Sequence, residues 1–174
     1  MKAIYCDHPA PGSGSIFFPT SGVHLVYRCD LQAHRVVVTD DAGRIVRAFG
    51  GYGRQPGCLD TPLDLAFVSP QFAGEHLPAD SADAVWVAVA DYGNRRVQIF
   101  ELDGTLVGEL SVDGADGLRW PPTGLSWRGP VLEILGIEGA KTAVHLSAAL
   151  LANEPGHANR GRRVLPSSGA GARH

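Results

Sequence analysis

The sequence repeats one pattern of residues at a spacing of about sixty positions. Residues 29–43 and 90–104 each contain an aspartate, a short polar turn, an arginine, an apolar run and a closing glycine. Glycine adopts the positive φ angles that tight hairpin turns require. The repeat therefore predicts two copies of one antiparallel sheet, with apolar faces that stack on each other. Three residue pairs lie 61 positions apart: Asp30 with Asp91, Arg35 with Arg96, and Gly43 with Gly104.

Alternation of apolar and polar residues places the strands within this repeat. Residues 122–127 resemble residues 62–67 at a spacing of 60, which extends the register past the second copy. The sequence does not decide whether a third copy exists, because residues 131–151 fit either two further strands or a strand followed by a short helix over 144–152. The predicted strands are 23–29, 35–39, 44–49, 62–68, 85–90, 97–100, 105–110 and 122–127.

The composition divides the chain into three parts. With 22 Gly and 12 Pro in 174 residues, many short strands are favoured over long helices. Residues 1–22 are predicted to be an N-terminal loop segment with one short strand near Ile16–Phe18. Residues 23–151 form the repeated array, interrupted by an inserted loop at 70–82. Residues 152–174 have little apolar surface to bury and are predicted to be a disordered tail.

The second copy resembles an NHL repeat, a motif of β-propeller blades. In that motif a strand ends in Asp, a Gly-Asn turn follows, and Arg-Val-Gln opens the next strand, as at residues 91–98 here. The first copy has Gln32-Ala33 in place of Gly-Asn and is a weaker match. The resemblance implies that motif residues mainly build blades, while binding surfaces lie in the loops. By this resemblance the structural motif residues are Asp30, Arg35, Gly43, Asp91, Asn94, Arg96 and Gly104.

The chain is too short for a closed propeller, which needs at least four blades of roughly 40–45 residues each. The expected fold is all-β: an incomplete propeller-like stack of two to three blades. Its terminal strands would expose unpaired N–H and C=O groups, which favour pairing with another chain. Three possibilities remain open: self-association that completes a ring, docking onto a partner, or a truncated remnant of a longer propeller.

Aromatic residues beside arginines in the loops are the candidates for binding. Such residues typify recognition surfaces, although packing between blades is the more common reason for aromatic residues at these positions. The repeated Asp–Arg pairs are expected to be structural, because catalysis needs one site rather than one for each blade. The loop candidates are Tyr52, Arg54, Tyr92, Arg95, Arg119 and Trp120.

No catalytic or metal-binding constellation is evident. The chain has neither a GxSxG motif nor a low-pKa cysteine motif. Cys6-Asp7-His8 is capable of binding metal, but zinc needs three or four converging ligands. No catalytic residue, metal or cofactor is therefore predicted. Cys29 lies in a strand and is expected to pack as a small apolar residue, whereas Cys58 lies in a loop and is expected to be the more reactive thiol.

Two functional hypotheses follow. The first is a non-catalytic NHL-repeat module that binds a protein, or less readily an RNA, through blade loops. The alternative is a propeller-type metal-dependent lactonase or lyase completed by oligomerisation. Acidic residues outnumber basic ones before residue 152, which disfavours nucleic acid. An odd cysteine count, the lack of a secretory signal and the lack of a membrane-length apolar run predict a cytoplasmic location.

Overall fold

The regular structure is almost entirely β. The computed structural model describes residues 4–7, 12–69, 85–111, 120–129, 131–139 and 141–145. Within these ranges there are twelve strands, one turn of 3-10 helix at Ile137–Gly139, and no α-helix. The strands form three sheets, and every paired neighbour is antiparallel. The predicted inserted loop at 70–82 and the predicted tail at 152–174 lie outside the described residues.

Strands follow one another in chain order within each sheet. The first sheet comprises β1 (Ile4–Asp7), β2 (Ser13–Phe18), β3 (Val23–Asp30), β4 (Arg35–Thr39) and β5 (Ile45–Gly50). The second sheet comprises β6 (Pro62–Val68), β7 (Trp86–Asp91), β8 (Arg96–Glu101) and β9 (Leu106–Ser111). The third sheet comprises β10 (Pro122–Arg128), β11 (Val131–Gly136) and β12 (Lys141–His145).

The two repeat copies have the same conformation. Val36 pairs with Phe49 in the first sheet, and Val97 pairs with Leu110 in the second, again 61 positions apart. Both hairpins contain an irregularity at corresponding places, after Val38 and after Ile99. The prediction of tandem antiparallel sheets is confirmed. The fold is an incomplete propeller-like stack.

The N-terminal segment contains more strand than the predicted loop. β2 begins at Ser13, before the predicted Ile16–Phe18, and β1 pairs with it. Gly14, one of the small residues that favoured a loop, serves packing instead. A Cβ on Gly14 would lie 2.8 Å from Cε2 of Phe67, so the absent side chain makes room for that ring. For residues 131–151, strands β11 and β12 agree with the alternative of two further strands as far as residue 145.

Two apolar layers hold the stack together. The middle sheet alternates its side chains, so Leu65 and Phe67 contact the first sheet while Ala66 and Val68 contact the third. Burial of such side chains stabilises the fold by roughly 1.5–3 kcal/mol each. The first layer includes Ile16, Tyr27, Val36, Val38, Val87, Val89 and Phe100; the second includes Ala88, Ala90, Val97, Ile99, Leu125, Leu132 and Ile134.

The outward face of the third sheet is charged. Glu133 accepts ion pairs from Arg128 at 3.3 Å and from Lys141 at 3.0 Å. Polar outer faces are how terminal repeats of stacked proteins avoid further stacking. In the middle sheet, the positions that correspond by strand pairing to Arg128, Glu133 and Lys141 are apolar and buried. They are Val68, Ala88 and Val97, respectively.

The outward face of the first sheet has also lost large apolar side chains. Ser15, Arg28 and Thr39 stand where the middle sheet has Phe67, Val89 and Phe100. Phe17, Val26, Val37 and Ile45 remain apolar on this face. The outward face of the first sheet is thus less apolar than the corresponding face of the middle sheet, but it is not charged like that of the third sheet.

Candidate functional site

The aspartate of the second repeat copy is the centre of a buried polar network. Asp91 ends β7 with a side chain that is 0% exposed. Its carboxylate accepts hydrogen bonds from Nε of Arg96 at 2.7 Å, Nδ2 of Asn94 at 2.9 Å and Nε2 of Gln98 at 3.2 Å. It also accepts the backbone N–H of Asp60 at 2.7 Å. We call Asp91, Asn94, Arg96 and Gln98 the motif network.

Arg96 connects this network to the chain segment between the first and second sheets. One of its terminal nitrogens donates to Oε2 of Glu109 at 2.9 Å. The other donates to the carbonyl oxygens of Gln55 at 3.0 Å and Cys58 at 2.8 Å. We call residues 51–61 the inter-sheet loop. Because charge-assisted hydrogen bonds are the strong ones, Arg96 fixes the course of this loop.

Gln98 and Asn94 complete the attachment. The Gln98 amide donates to the carbonyl of Cys58 at 2.7 Å and accepts the N–H of Gly57 at 2.9 Å. The Asn94 amide donates to the carbonyl of Gly53 at 2.9 Å. All four residues of the motif network therefore bind the inter-sheet loop or the carboxylate that organises it.

The glycine of the Gly-Asn turn, Gly93, is required for steric reasons. The N–H of Gly93 donates to the carbonyl of Asp60 at 2.8 Å. A Cβ at Gly93 would lie 2.5 Å from Oδ2 of Asp60, closer than real Cβ contacts. Glycine here lets the turn approach the inter-sheet loop.

The first repeat copy keeps the ion pair without the network. Arg35 donates from Nε to Oδ2 of Asp30 at 3.3 Å, and the two side chains are 42% and 33% exposed. The N–H of Ala33, together with Arg35, holds the pKa of the Asp30 carboxyl below its usual value. Ala33 and Val37 occupy the positions of Asn94 and Gln98, so the two amide side chains are missing. Within the described ranges no loop is bound at Asp30 and Arg35.

Four of the six loop candidates lie around the inter-sheet loop. Tyr52 is 74% exposed, Arg54 and Arg95 are exposed, and Tyr92 is half-buried. They belong to the inter-sheet loop and to the turn between β7 and β8. The hydrogen bond that Nδ2 of Asn94 donates to the carbonyl of Gly53 joins these two segments at one end of the sheets.

The turn between β3 and β4 adds two residues that the sequence did not single out. His34 packs its ring against Tyr52, with ring centroids 4.8 Å apart, and its carbonyl accepts the N–H of Gly51 at 2.8 Å. Leu31 in the same turn is 44% exposed. His34 has a φ of 53°, a conformation that a sequence pattern does not reveal. We call the surface formed by Leu31, His34, Tyr52, Arg54, Tyr92 and Arg95 the loop surface.

Trp120 lies elsewhere. It is half-buried and packs on the apolar layer between the second and third sheets. A Cβ on Gly136 would collide with the Trp120 ring, so this glycine makes room for the indole. Of the two explanations given for Trp120, binding or packing between blades, these contacts support packing, and its part in binding remains a prediction. Arg119 lies outside the described residues.

Metal-binding chemistry finds no support in the part of the chain that the structure describes. Within it, no three His, Cys, Asp or Glu side chains converge as a group. The side chains of Cys6, Asp7 and His8 lie outside that part. Also within it, no helix has the length and apolar character needed to cross a membrane.

Cys29 and Cys58, the cysteines whose side chains the structure describes, are expected to differ in reactivity. Burial, with the Asp64 carboxylate nearby, raises the pKa of the Cys29 thiol to about 12. At pH 8 only about one Cys29 in 10⁴ would carry the reactive thiolate. Iodoacetamide at pH 8 should therefore alkylate Cys58 of the inter-sheet loop well before Cys29, although both side chains are half-buried, and in urea the difference should disappear. Peptide mass spectrometry over time measures both rates; equal rates in the native protein would contradict the raised pKa of the Cys29 thiol.

Sequence comparisons support an NHL-like region in part of the chain. No protein-family model matches the sequence. A stretch of 42 residues, 24% of this chain, is 52% identical to RING finger protein nhl-1 of Caenorhabditis elegans. The match covers 4% of that protein, so this chain spans only a small part of the relative's length.

Proposed function

We propose that this chain is a non-catalytic binding module of the NHL-repeat type that holds a protein partner on its loop surface. The observation that carries the proposal is the exposed set of Tyr52, Arg54 and Arg95 on segments fixed by the motif network. Tyrosine and arginine are the residue types that contribute most at protein interfaces. A fixed loop loses little conformational entropy on binding, which favours affinity. The NHL-like match is consistent with such a role.

The motif residues take a supporting part in this proposal. Asp91, Asn94 and Arg96 are engaged with the inter-sheet loop and do not face solvent as a group. Their part is to hold the loop, not to contact the ligand. In the first copy, Asp30 and Arg35 form the same ion pair in a half-exposed position, without the two amide side chains. Gly43 and Gly104 close the hairpins with positive φ angles of 75° and 93°.

The enzyme alternative is less well supported. A propeller-type lactonase or lyase would need a closed ring around a metal channel, and the three described sheets do not close one. The charged outward face of the third sheet, with Arg128, Glu133 and Lys141, disfavours another sheet stacking there. A metal-dependent reaction also has no ligand group within the described ranges.

Among possible partners, a protein other than the chain itself is preferred. Self-association through open strand edges remains a second form of the proposal, since β12 pairs on one side only within the described residues. Nucleic acid is disfavoured by the net charge of -3. We place the module in the cytoplasm, with no cofactor and no membrane contact.

Selection from a random peptide library tests the proposal. The wild type should enrich peptides whose affinity falls about tenfold or more in a Tyr52→Ala/Arg54→Ala variant, because these side chains would contact the peptide. A matched Ile45→Ala/Val46→Ala variant changes two exposed residues away from the loop surface and should bind as the wild type does. Failure to enrich any peptide, or peptides that bind both variants equally, would contradict the proposal.

A further inference from the structure

The Nδ1 atom of His34 lies between a hydrogen-bond donor and an acceptor. The N–H of Thr61 donates to Nδ1 at 2.9 Å, which requires a lone pair on that nitrogen. Oδ1 of the Asp60 carboxylate lies 3.3 Å from the same Nδ1, and an ion pair between them requires a proton on the nitrogen. Because one nitrogen cannot carry a lone pair and a proton at once, the two interactions exclude each other. The charge state of His34 therefore selects which of them forms.

The backbone on both sides of this contact is fixed. The carbonyl of His34 accepts a backbone N–H of the inter-sheet loop at 2.8 Å. The N–H of Asp60 donates to Oδ1 of Asp91 at 2.7 Å, and its carbonyl accepts the N–H of Gly93 at 2.8 Å. A change of partner must therefore be made by the imidazole ring and the Thr61 amide, because the surrounding backbone is held by other bonds.

Backbone strain is concentrated at the same contact. His34 and Thr61 have φ angles of 53° and 52°, and Arg95 is the remaining non-glycine residue with a positive φ in the described ranges. Such conformations persist only where the surrounding contacts hold them, and they are common in switch regions. The strain therefore agrees with a segment that exchanges one set of contacts for another.

The ring that changes partner also supports the exposed aromatic residue of the loop surface. The imidazole of His34 contacts the ring of Tyr52, with centroids 4.8 Å apart and ring planes at 62°. Tyr52 is 74% exposed, so this contact contributes much of what orients its side chain. A movement of the imidazole toward Asp60 is thus transmitted to Tyr52.

Other ionisable groups lie on the segments around His34. Carboxyl, guanidinium, thiol and phenol groups ordinarily change charge below about pH 5 or above about pH 8, whereas histidine ordinarily changes charge between these values. Beyond the described residues, His8 precedes β2, and Asp113 and Asp116 follow β9. Besides Asp60, the described groups at this end are Cys29, Asp30, Arg35, Tyr52, Arg54, Cys58, Asp64, Asp91, Tyr92, Arg95, Arg96 and Glu109.

We propose that His34 is a pH-sensitive switch of the loop surface. Its effect on a partner rests on the proposed function, whereas the switch itself is a property of the free protein. Neutral His34 accepts the Thr61 N–H and supports Tyr52 in the position described. Protonated His34 donates from Nδ1 to the Asp60 carboxylate, releases the Thr61 N–H and moves its ring relative to Tyr52. A partner held through Tyr52 therefore binds more weakly as the pH falls.

An NMR titration of the free protein tests the switch without a partner. At about pH 8 the His34 ring should carry its proton on Nε2. Between about pH 8 and 5 the Thr61 amide should shift with the same midpoint as the ring. Its protection against exchange should fall about fivefold or more, the effect expected from the loss of one hydrogen bond. A ring that keeps one charge throughout, or a Thr61 amide that does not follow it, would overturn the inference.

Two histidine variants assign the response to one residue. Asparagine adopts positive φ more readily than most side chains and offers the Thr61 N–H an acceptor oxygen without a titrating ring, so His34→Asn should abolish the response. His24 pairs with the Asp41 carboxylate at the opposite end of the sheets, and His24→Asn should leave the response unchanged. A response that persists in His34→Asn, or disappears in His24→Asn, belongs to another group and contradicts the inference.

A library-selected peptide measures the consequence for binding. A histidine-free peptide that depends on Tyr52 should bind the wild type about fivefold or more weakly at about pH 5.5 than at about pH 7.5, and its affinity for His34→Asn should change less than about twofold. If Thr61 follows His34 but no peptide is enriched, the switch stands and the binding module falls. If such a peptide binds the wild type equally at both pH values, the binding module stands and the switch of the loop surface falls.

Discussion

Replacement of Asp91 by alanine is expected to lower the free energy of unfolding by about 3–5 kcal/mol, the usual effect of removing one partner of a buried ion pair. The change leaves the Arg96 guanidinium, with a side chain only 9% exposed, without its closest carboxylate. It also removes the acceptor for the Asp60 N–H, which donates at 2.7 Å. Urea denaturation followed by tryptophan fluorescence measures the loss.

Asp30 provides the matched control for this experiment. It occupies the same repeat position, forms the same pair with Arg35 at 3.3 Å, and is partly solvated. Exposed ion pairs contribute little to stability, so Asp30→Ala should change the unfolding midpoint far less than Asp91→Ala. Similar losses of stability in the two variants would show that the contacts of Asp91 with the inter-sheet loop contribute nothing beyond the ion pair. The proposed role of the motif network would then fail.

The second large effect is expected at Gly104. A Cβ at this position would lie 2.6 Å from both Cβ and Cγ of Phe49, whose ring packs on Phe100 with a centroid distance of 5.0 Å. The backbone also has a φ of 93°, which side chains rarely adopt. Overpacking and backbone strain together should make Gly104→Ala destabilising by about 2–5 kcal/mol. Thermal or urea denaturation measures it.

Gly43 is the equivalent glycine in the first copy, and its replacement separates backbone strain from overpacking. Its φ is 75°, but a Cβ there would meet nothing within 4 Å. Gly43→Ala should therefore show only the strain, about 1–2 kcal/mol. A larger loss at Gly43 than at Gly104 would mean that the second hairpin does not pack on the first sheet as described.

The repeated hairpins could be predicted because their determinants are local. Asp, Gly and alternating apolar residues within about fifteen positions fix each turn and register, as the pairing of Val97 with Leu110 illustrates. The third sheet was less predictable. Its strands β11 and β12 lack the Asp–Arg pair that marks the turn in the other copies, and their apolar residues are compatible with more than one secondary structure.

The partners of the motif residues could not be predicted from the sequence. Arg96 donates to carbonyl oxygens of Gln55 and Cys58, about forty positions earlier, and a backbone carbonyl leaves no mark in the sequence. The role of Gln98 was missed for the same reason. The full extent of β2 was missed because Gly beside Ser resembles loop composition, whereas close packing against Phe67 explains Gly14. For Trp120 the sequence could not decide between binding and packing, because Trp beside Pro is compatible with both.

Hydrogen exchange in the inter-sheet loop is the most direct test of the central claim, that the motif network fixes this loop between stacked sheets. The amides of Gly57 and Asp60 donate to the side chains of Gln98 and Asp91. In the wild type they should exchange as slowly as amides of β7, and Asp91→Asn should accelerate them while β7 stays protected. Wild-type amides at 57 and 60 that exchange at the rate of unstructured chain would contradict the claim.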